Sequence, residues 1–327
     1  MSDALPDVTD LGHGIGVIPL PLPFRSPSFV NAYVVQGDDR TVLIDCGVDT
    51  DAGRTRLIEG LSILGGDPVH IDTLIVSHLH PDHVGMAPRL TSEFGWTLLM
   101  HRRAGTLWER YNDTAGLETR TRHLAQRHGV PSPMIDPISS LGGRPSYMPM
   151  LHAPDVLVGD GDHIELGGGR TLEVLHTPGH EQAHICLRDS LTGILFSGDH
   201  VLPRITPVIM FDEQVDDVLG DYLTSLNRLI ALDIGLTYPA HGHIVERGTA
   251  RCEQIVLHHD RRLSGMLDIV RLGPRTAWTV MEEAYRPHLT PLEQRLALRE
   301  TVSHLEHLRF DAQVGRFEEN GVLWYRT

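Results

Sequence analysis

The stretch 77-SHLHPDHVG-85 places His78, His80, Asp82 and His83 within six positions. Imidazole suits zinc and other borderline ions, carboxylate adds a hard oxygen donor, and imidazole is also the side chain that titrates near neutrality. His78 and His80 stand two apart in an extended segment and leave it on the same side. Asp82 and His83 follow Pro81, where the chain turns into a helix, and reach the same neighbourhood from another direction. Together these are more donors than one tetrahedral ion needs once three further apolar runs are counted, because each of those also ends in a ligand type. They are 173-EVLHTPGH-180, 194-ILFSGD-199 and 236-LTYPAHG-242, which deliver His180, Asp199 and His241. Donors so distant in sequence meet only if the strands that carry them end at one rim of a sheet.

Not every one of the 21 histidines belongs to this pattern. His13, His70, His123, His152 and His163 are isolated and read as surface residues. His184 and His200 lie beside candidate ligands and read as packing or supporting groups. His243 and the His258-His259 pair read either as lining an entrance or as solvated surface. Asp45, at the end of the run 41-TVLID-45, is the candidate for fixing the tautomer of a ligand histidine by accepting its other N–H.

The elements that must position these residues follow from periodicity. The runs 15–24, 29–37 and 40–47 are apolar, extended and separated by turn residues, as in an antiparallel meander. Leu57, Leu61 and Leu64 recur at helical spacing across 50–65, and 71-IDTLIVS-77 is a strand that feeds the histidine motif. A helix over 84–95 and a strand over 96–102 continue the β-α-β rhythm of a layered α/β domain. The segment 103–153 breaks the rhythm with Arg-rich helical pieces and the loop 131–150, rich in Pro, Met and Ser, and it is expected to be a lid or binding wall. Strands resume over 155–177, 183–189 and 193–199, then a helix over 216–232 and a strand over 234–242. The remainder is helical and closes in a hairpin turned by Asn320-Gly321. These elements divide the chain into a catalytic domain, 1–247, and a small helical, winged-helix-like domain, 248–327.

The formal net charge of −15 disfavours phosphate backbones and anionic membranes and leaves a small molecule as the expected partner. Residues 248–327 carry 11 Arg against 11 Asp and Glu, so a winged helix there is a packing or dimerisation element rather than a DNA reader, and a homodimer is left open. The 28 cationic Lys and Arg residues are all Arg, which removes any lysine nucleophile. Cys46, Cys186 and Cys252 form no CxxC pair and are expected to be buried and reduced. The amino terminus lacks a basic segment followed by an apolar one, and no apolar run approaches the ~20 residues of a membrane span, so a cytoplasmic location is expected.

His78-x-His80-x-Asp82-His83, His180 in TPGH, Asp199 in SGDH and His241 in PAHG resemble the metallo-β-lactamase-fold hydrolase superfamily. The match is to its dinuclear branch, like hydroxyacylglutathione hydrolase (glyoxalase II). The resemblance extends to NAY and LIDCG near the amino terminus and to a helical or winged-helix-like appendage at the carboxy terminus. It implies a four-layer αββα sandwich. It also implies two divalent ions, zinc first with iron or manganese as alternatives. His78, His80 and His180 would hold the first ion, Asp82, His83 and His241 the second, and Asp199 would bridge them. Asp82 would in addition orient the nucleophile and shuttle a proton. True β-lactamases of the superfamily lack the bridging carboxylate, and the diiron redox branch replaces the histidine at the position of His80 by an acid, so both are disfavoured.

Two ions about 3.5 to 4 Å apart lower the pKa of a shared water toward neutrality, so no serine or cysteine nucleophile is required. The expected reaction is attack of a metal-bridging hydroxide on an ester, thioester or lactone. Phosphodiester cleavage and iron-dependent persulfide oxidation are the alternatives. Met134, Ile138, Met148 and Met150 suggest an apolar acyl group, and Arg102, Arg103, Arg110 and Arg120 either meet a carboxylate or form a solvated face.

Overall fold

The computed structural model describes residues 5–24, 26–140 and 146–327, so the first four residues of the amino-terminal segment and 141–145 of the predicted loop lie outside it. The first half of the chain forms β1 (Thr9–Gly12), β2 (Ile15–Pro21), β3 (Phe29–Gln36), β4 (Thr41–Ile44), α1 (Asp51–Ile63), β5 (Thr73–Ile75), α2 (Pro81–Val84), α3 (Ala87–Phe94), β6 (Thr97–His101), α4 (Ala104–Asn112), α5 (Thr114–Arg127) and α6 (Ser132–Ser139). The second half forms β7 (Val156–Val158), β8 (His163–Gly167), β9 (Arg170–His176), β10 (Ile185–Asp189), β11 (Leu195–Gly198), α7 (Val218–Ala231), β12 (Thr237–Pro239), α8 (Gly248–Arg271), α9 (Ala277–Ala284), α10 (Pro291–Phe310), β13 (Gly315–Glu319) and β14 (Val322–Arg326).

The chain separates into two compact units. The first comprises the described parts of Met1–Asn112, Pro145–Pro207 and Leu229–Arg251. It holds a seven-stranded sheet in the order β1 to β7 and a five-stranded sheet in the order β12-β11-β10-β9-β8. β1 to β4 pair antiparallel, the meander expected from the sequence, and β4 to β7 pair parallel, as helical crossovers require. Side chains alternate faces: Val30, Ala32, Val34, Leu43 and Leu74 meet Leu57 and Leu61 of α1 and Leu90 of α3. Their neighbours Tyr33, Val35, Val42, Ile44 and Ile75 point the other way and pack on Leu172, Val174, Leu187 and Phe196 of the second sheet. A helical layer and two facing sheets therefore share one wall of strands, as expected of a metallo-β-lactamase sandwich.

The second unit comprises the described parts of Asp113–Arg144, Val208–Arg228 and Cys252–Thr327. Its core joins Ala125, Ile138, Met266, Trp278, Val280, Leu298, Val302, Leu305 and Tyr325, contributed by α5, α6, α8, α9, α10 and β14. A single cut at 247 therefore does not describe the packing, because the described residues 113–140 and 208–228 group with the carboxy-terminal helices. Residues 132–139 are helical where the sequence predicts a loop, since Met134 and Ile138 face this core. β1, a short exposed edge strand, is likewise absent from the elements read from periodicity. No helix among the described residues is long and apolar enough to cross a membrane.

Candidate metal centre

β9 and β11 are both antiparallel to β10, and β12 is parallel to β11, so β9, β11 and β12 run in one direction and end at one rim. There β9 leads through Thr177 to His180, β11 ends in Gly198 before Asp199, and β12 leads through Ala240 to His241. β5 supplies the fourth arm. After it, His80 stands immediately before α2, whose Pro81 has no N–H to leave orphaned and a φ already suited to a first helical position. His80 O accepts from His83 N at 2.9 Å and from Val84 N at 3.1 Å, which fixes the turn that carries Asp82 and His83.

The donors fall into two groups. His78, His80, His180 and Asp199 offer ligand atoms within 4.8 Å of one another, and so do Asp82, His83 and His241. His80 Nδ1 lies 2.9 Å from His78 Nε2 and 3.0 Å from His180 Nε2. Asp199 lies toward both groups, with Oδ2 3.6 Å from His180 Nε2, and Oδ1 3.5 Å from His83 Nε2 and 3.4 Å from His241 Nε2. His241 Nε2 is also 3.3 Å from Asp82 Oδ2.

Hydrogen bonds behind the donors determine which ring nitrogen is free. His83 Nδ1 lies 2.8 Å from Asp45 Oδ2, and a carboxylate only accepts, so the proton is on Nδ1 and the lone pair is on Nε2. His241 Nδ1 donates to Phe29 O at 2.9 Å, which likewise leaves Nε2 bare. The buried His83 Nε2 and Asp199 Oδ1 have no hydrogen-bond partner. With the His83 ring neutral these are two buried acceptors facing each other, which repel at this spacing unless a metal ion or a proton lies between them. Divalent ions bound by nitrogen and carboxylate donors fit this arrangement.

The electrostatics express the same demand. Burial, then the neighbouring imidazoles, push His78 well below its ordinary range, and burial and His180 push His80 down to about 3. Burial opposes charge on His83 as well, but Asp45, Asp199 and Asp82 outweigh it and raise its pKa. His241 is raised in the same way, against burial, by Asp199 and Asp82. Burial acts to raise Asp82 and Asp199, yet His83 and His241 hold both below the usual carboxylate range. Without a metal the second group would carry protons where cations belong, so metal uptake must release them.

A family model described as the metallo-beta-lactamase superfamily matches residues 25–241. The chain belongs to that superfamily. The chain is 25% identical over 325 residues to "Probable metallo-hydrolase YqjP" of Bacillus subtilis, covering 95% of this chain and 97% of that one. The beta-lactamase-like protein 2 homolog of Caenorhabditis elegans is 25% identical over 83% of this chain and 72% of its own length. The fungal lactamase-like protein nscB of Aspergillus fumigatus is matched over 56% of its length. Among solved structures, a metallo-beta-lactamase family protein, TTHA1429, from Thermus thermophilus superposes with a TM-score of 0.79 at 28% identity, covering 97% of this chain and 99% of that one. A beta-lactamase domain protein from Burkholderia ambifaria gives 0.81 at 28% identity, covering 99% and 96%. By family and fold the protein is a metal-dependent hydrolase.

The superfamily rim depends on residues that sequence alone did not single out. Ser77 N and Oγ donate to Asp45 at 2.7 and 2.8 Å, and Asp45 adopts φ 60°, a left-handed conformation that aspartate tolerates better than most residues. Asn31 Nδ2 donates to Pro239 O and Gly242 O, both at 3.1 Å, and the Tyr33 hydroxyl donates to Pro239 O at 2.7 Å. Together they clamp the loop of His241 to β3; only the NAY resemblance hinted at them. His184 Nδ1 pairs with Thr177 Oγ1 at 2.8 Å and its Nε2 accepts Asp199 N at 3.2 Å, so this histidine supports the Asp199 loop. His243 is exposed, whereas His259 is fully buried in the second unit, 3.1 Å from His304, and is not solvated surface. Arg102 and Arg103 are exposed; Arg103 reaches Gln182 at 2.6 Å, and Arg120 pairs with Asp113.

Gly198 occupies φ 49°, and a Cβ there would lie 2.7 Å from His184 Nε2 and 3.1 Å from Ser77 Cβ. Gly198→Ala should therefore displace the Asp199 loop. It is expected to cost roughly 1–3 kcal/mol of stability and to weaken metal binding about tenfold or more. Thermal unfolding and titration against a competing chelator measure the two effects.

Proposed function

We propose that this protein is a dinuclear metal-dependent hydrolase that cleaves an ester, thioester or lactone of a small acyl substrate, in the manner of the glyoxalase II-like branch. The observation that carries this reading is Asp199, whose two oxygens face different donor groups at 3.4 to 3.6 Å. In this reading His78, His80 and His180 would hold one ion and Asp82, His83 and His241 the other, with the Asp199 carboxylate available to both groups. Nitrogen-rich donors favour zinc, with iron or manganese as substitutes. When bound, two such ions supply a nucleophilic hydroxide at neutral pH and polarise the acyl oxygen.

The chain's own residues do the rest. Asp82 stays ionised beside His241, so it can accept a hydrogen bond from a water and orient it. Asp45 keeps His83 in the tautomer that offers Nε2, and Phe29 O does the same for His241. Burial, and to a lesser extent the charge of Asp82, raises the Tyr147 phenol. Phe24 meets the Tyr147 ring edge-on at 5.5 Å, and the pair offers an apolar surface for an acyl group. Met134 and Ile138 do not serve this purpose, since both pack in the core of the second unit. The charge of −15 weighs against a nucleic-acid substrate. The proposed setting is the cytoplasm, with a small-molecule substrate and no nucleic-acid or membrane partner.

The test is metal analysis of the purified protein together with a panel of thioesters, lactones and bis-nitrophenyl phosphate. About two divalent ions per chain are expected, with acyl substrates turned over faster than the phosphodiester. Faster release from bis-nitrophenyl phosphate would establish the phosphodiesterase alternative. One tightly bound iron with persulfide-dependent oxygen uptake would establish the dioxygenase.

A further inference from the structure

The second unit contains a cavity of about 240 Å³ made entirely of its own residues. Three guanidinium groups reach it from separate elements: Arg127 at the end of α5, Arg309 near the end of α10 and Arg316 in β13. Glu306, only 4% exposed, also lines it. Its carboxylate accepts from Arg309 Nε at 2.6 Å, from Arg316 Nη1 at 2.7 Å and from the Tyr325 hydroxyl at 2.6 Å. One negative charge therefore stands between two positive ones; over the whole lining Arg127, Arg309 and Arg316 are balanced by Glu306, Glu213 and Asp216, so an anion would be held by local donor geometry rather than by net charge. Arg127 gives Nη2 to Glu318 at 3.2 Å. A guanidinium has five N–H donors, so each of the three retains donors after these bonds.

His128 is 4% exposed and lines the same cavity, and its buried Nδ1 has no hydrogen-bond partner. Its ring lies between aromatic neighbours, with centroids 6.2 Å from Phe211 and 6.4 Å from Tyr325. Burial holds this histidine down to about 4, so at neutral pH it is uncharged and carries one N–H. Glu213 and Asp216 contribute exposed carboxylates to the lining, which disfavours a polyanion.

We propose that this cavity is a ligand site outside the metal centre, taking a small molecule through one oxyanion head, carboxylate or phosphate. Arg309 and Arg316 donate to the head, Arg127 closes it from α5, and the uncharged His128 ring forms part of the wall. The volume suits a ligand smaller than the ~300 Å³ lower end of drug-sized pockets. The proposal is independent of the hydrolytic reading.

The test is calorimetric titration of the metal-loaded protein with malonate and with inorganic phosphate, which separates a carboxylate head from a phosphate head. Because anions also approach metal ions, the same titrations are run on Arg309→Gln, Arg127→Gln and Asp199→Ala. Arg127 and Arg309 have side chains 40% and 37% exposed on different helices, so a folding defect in one leaves the other informative. Binding of at least one anion should weaken about tenfold in each arginine variant, the loss expected of a charge-assisted hydrogen bond of about 1.4 kcal/mol or more, and should persist in Asp199→Ala. Isotherms unchanged by both arginine substitutions, binding abolished by Asp199→Ala alone, or no binding of either anion would overturn the proposal.

Discussion

Asp199→Ala is expected to lower kcat/KM by roughly a thousandfold or more while the chain remains folded, because the carboxylate serves the metal centre and not the core. Asp199 sits past the end of β11, and its backbone N–H, which donates to His184, survives the substitution. Its side chain is the negative charge shared by His83, His180 and His241. In the proposed dinuclear reading, both donor groups would then lose an oxygen ligand and the space between them the negative charge that would balance two cations. Electrostatic stabilisation through bound metal is worth several kcal/mol, and about 1.4 kcal/mol corresponds to each factor of ten in rate. Bound metal should fall below the wild-type ratio in the same preparation. Circular dichroism should be unchanged. Wild-type turnover with Asp199→Ala would remove Asp199 from the mechanism and with it the dinuclear reading.

The rim donors were legible in sequence because residue type and position coincide there. Each follows an apolar run, and a histidine or aspartate in that place has little to do with packing. What holds the donors was much less legible. Asn31 and Tyr33 act on carbonyls of residues 239 and 242, more than two hundred positions away, through bonds that no local pattern announces. Ser77 opens the metal motif, yet its part is visible only when Asp45 is seen to accept both its N–H and its hydroxyl. The packing of 132–139 with the carboxy-terminal helices is hidden from the sequence for a related reason. Prolines at 131, 133 and 137 argue for a loop. The segment is nevertheless helical, because Met134, Ile135 and Ile138 have the carboxy-terminal helices to pack against. Tertiary burial outweighs local propensity there, and a sequence read element by element does not contain that partner.

Asp45→Asn separates the charge and tautomer roles of this residue from its backbone role, because asparagine also tolerates the left-handed φ of 60°. The amide oxygen can replace Oδ1 and still accept from Ser77 N. The amide nitrogen then stands in the place of Oδ2, which now lies 2.8 Å from both Ser77 Oγ and His83 Nδ1. An NH₂ group donates there, so His83 Nδ1 must become the acceptor and the proton must move to Nε2. That is the atom facing Asp199 and Asp82, and once protonated it has no lone pair for a metal. The flipped amide is no escape, since it sets N–H against the buried Ser77 N–H at a cost of about 1–3 kcal/mol. Metal affinity is therefore expected to fall about 10- to 100-fold, the usual penalty for removing a carboxylate behind a ligand histidine. Activity should be partly restored by excess metal, which the Asp199→Ala defect should resist. Competition with a chelator measures the affinity, and a value within twofold of wild type would mean that His83 does not depend on Asp45 for its tautomer.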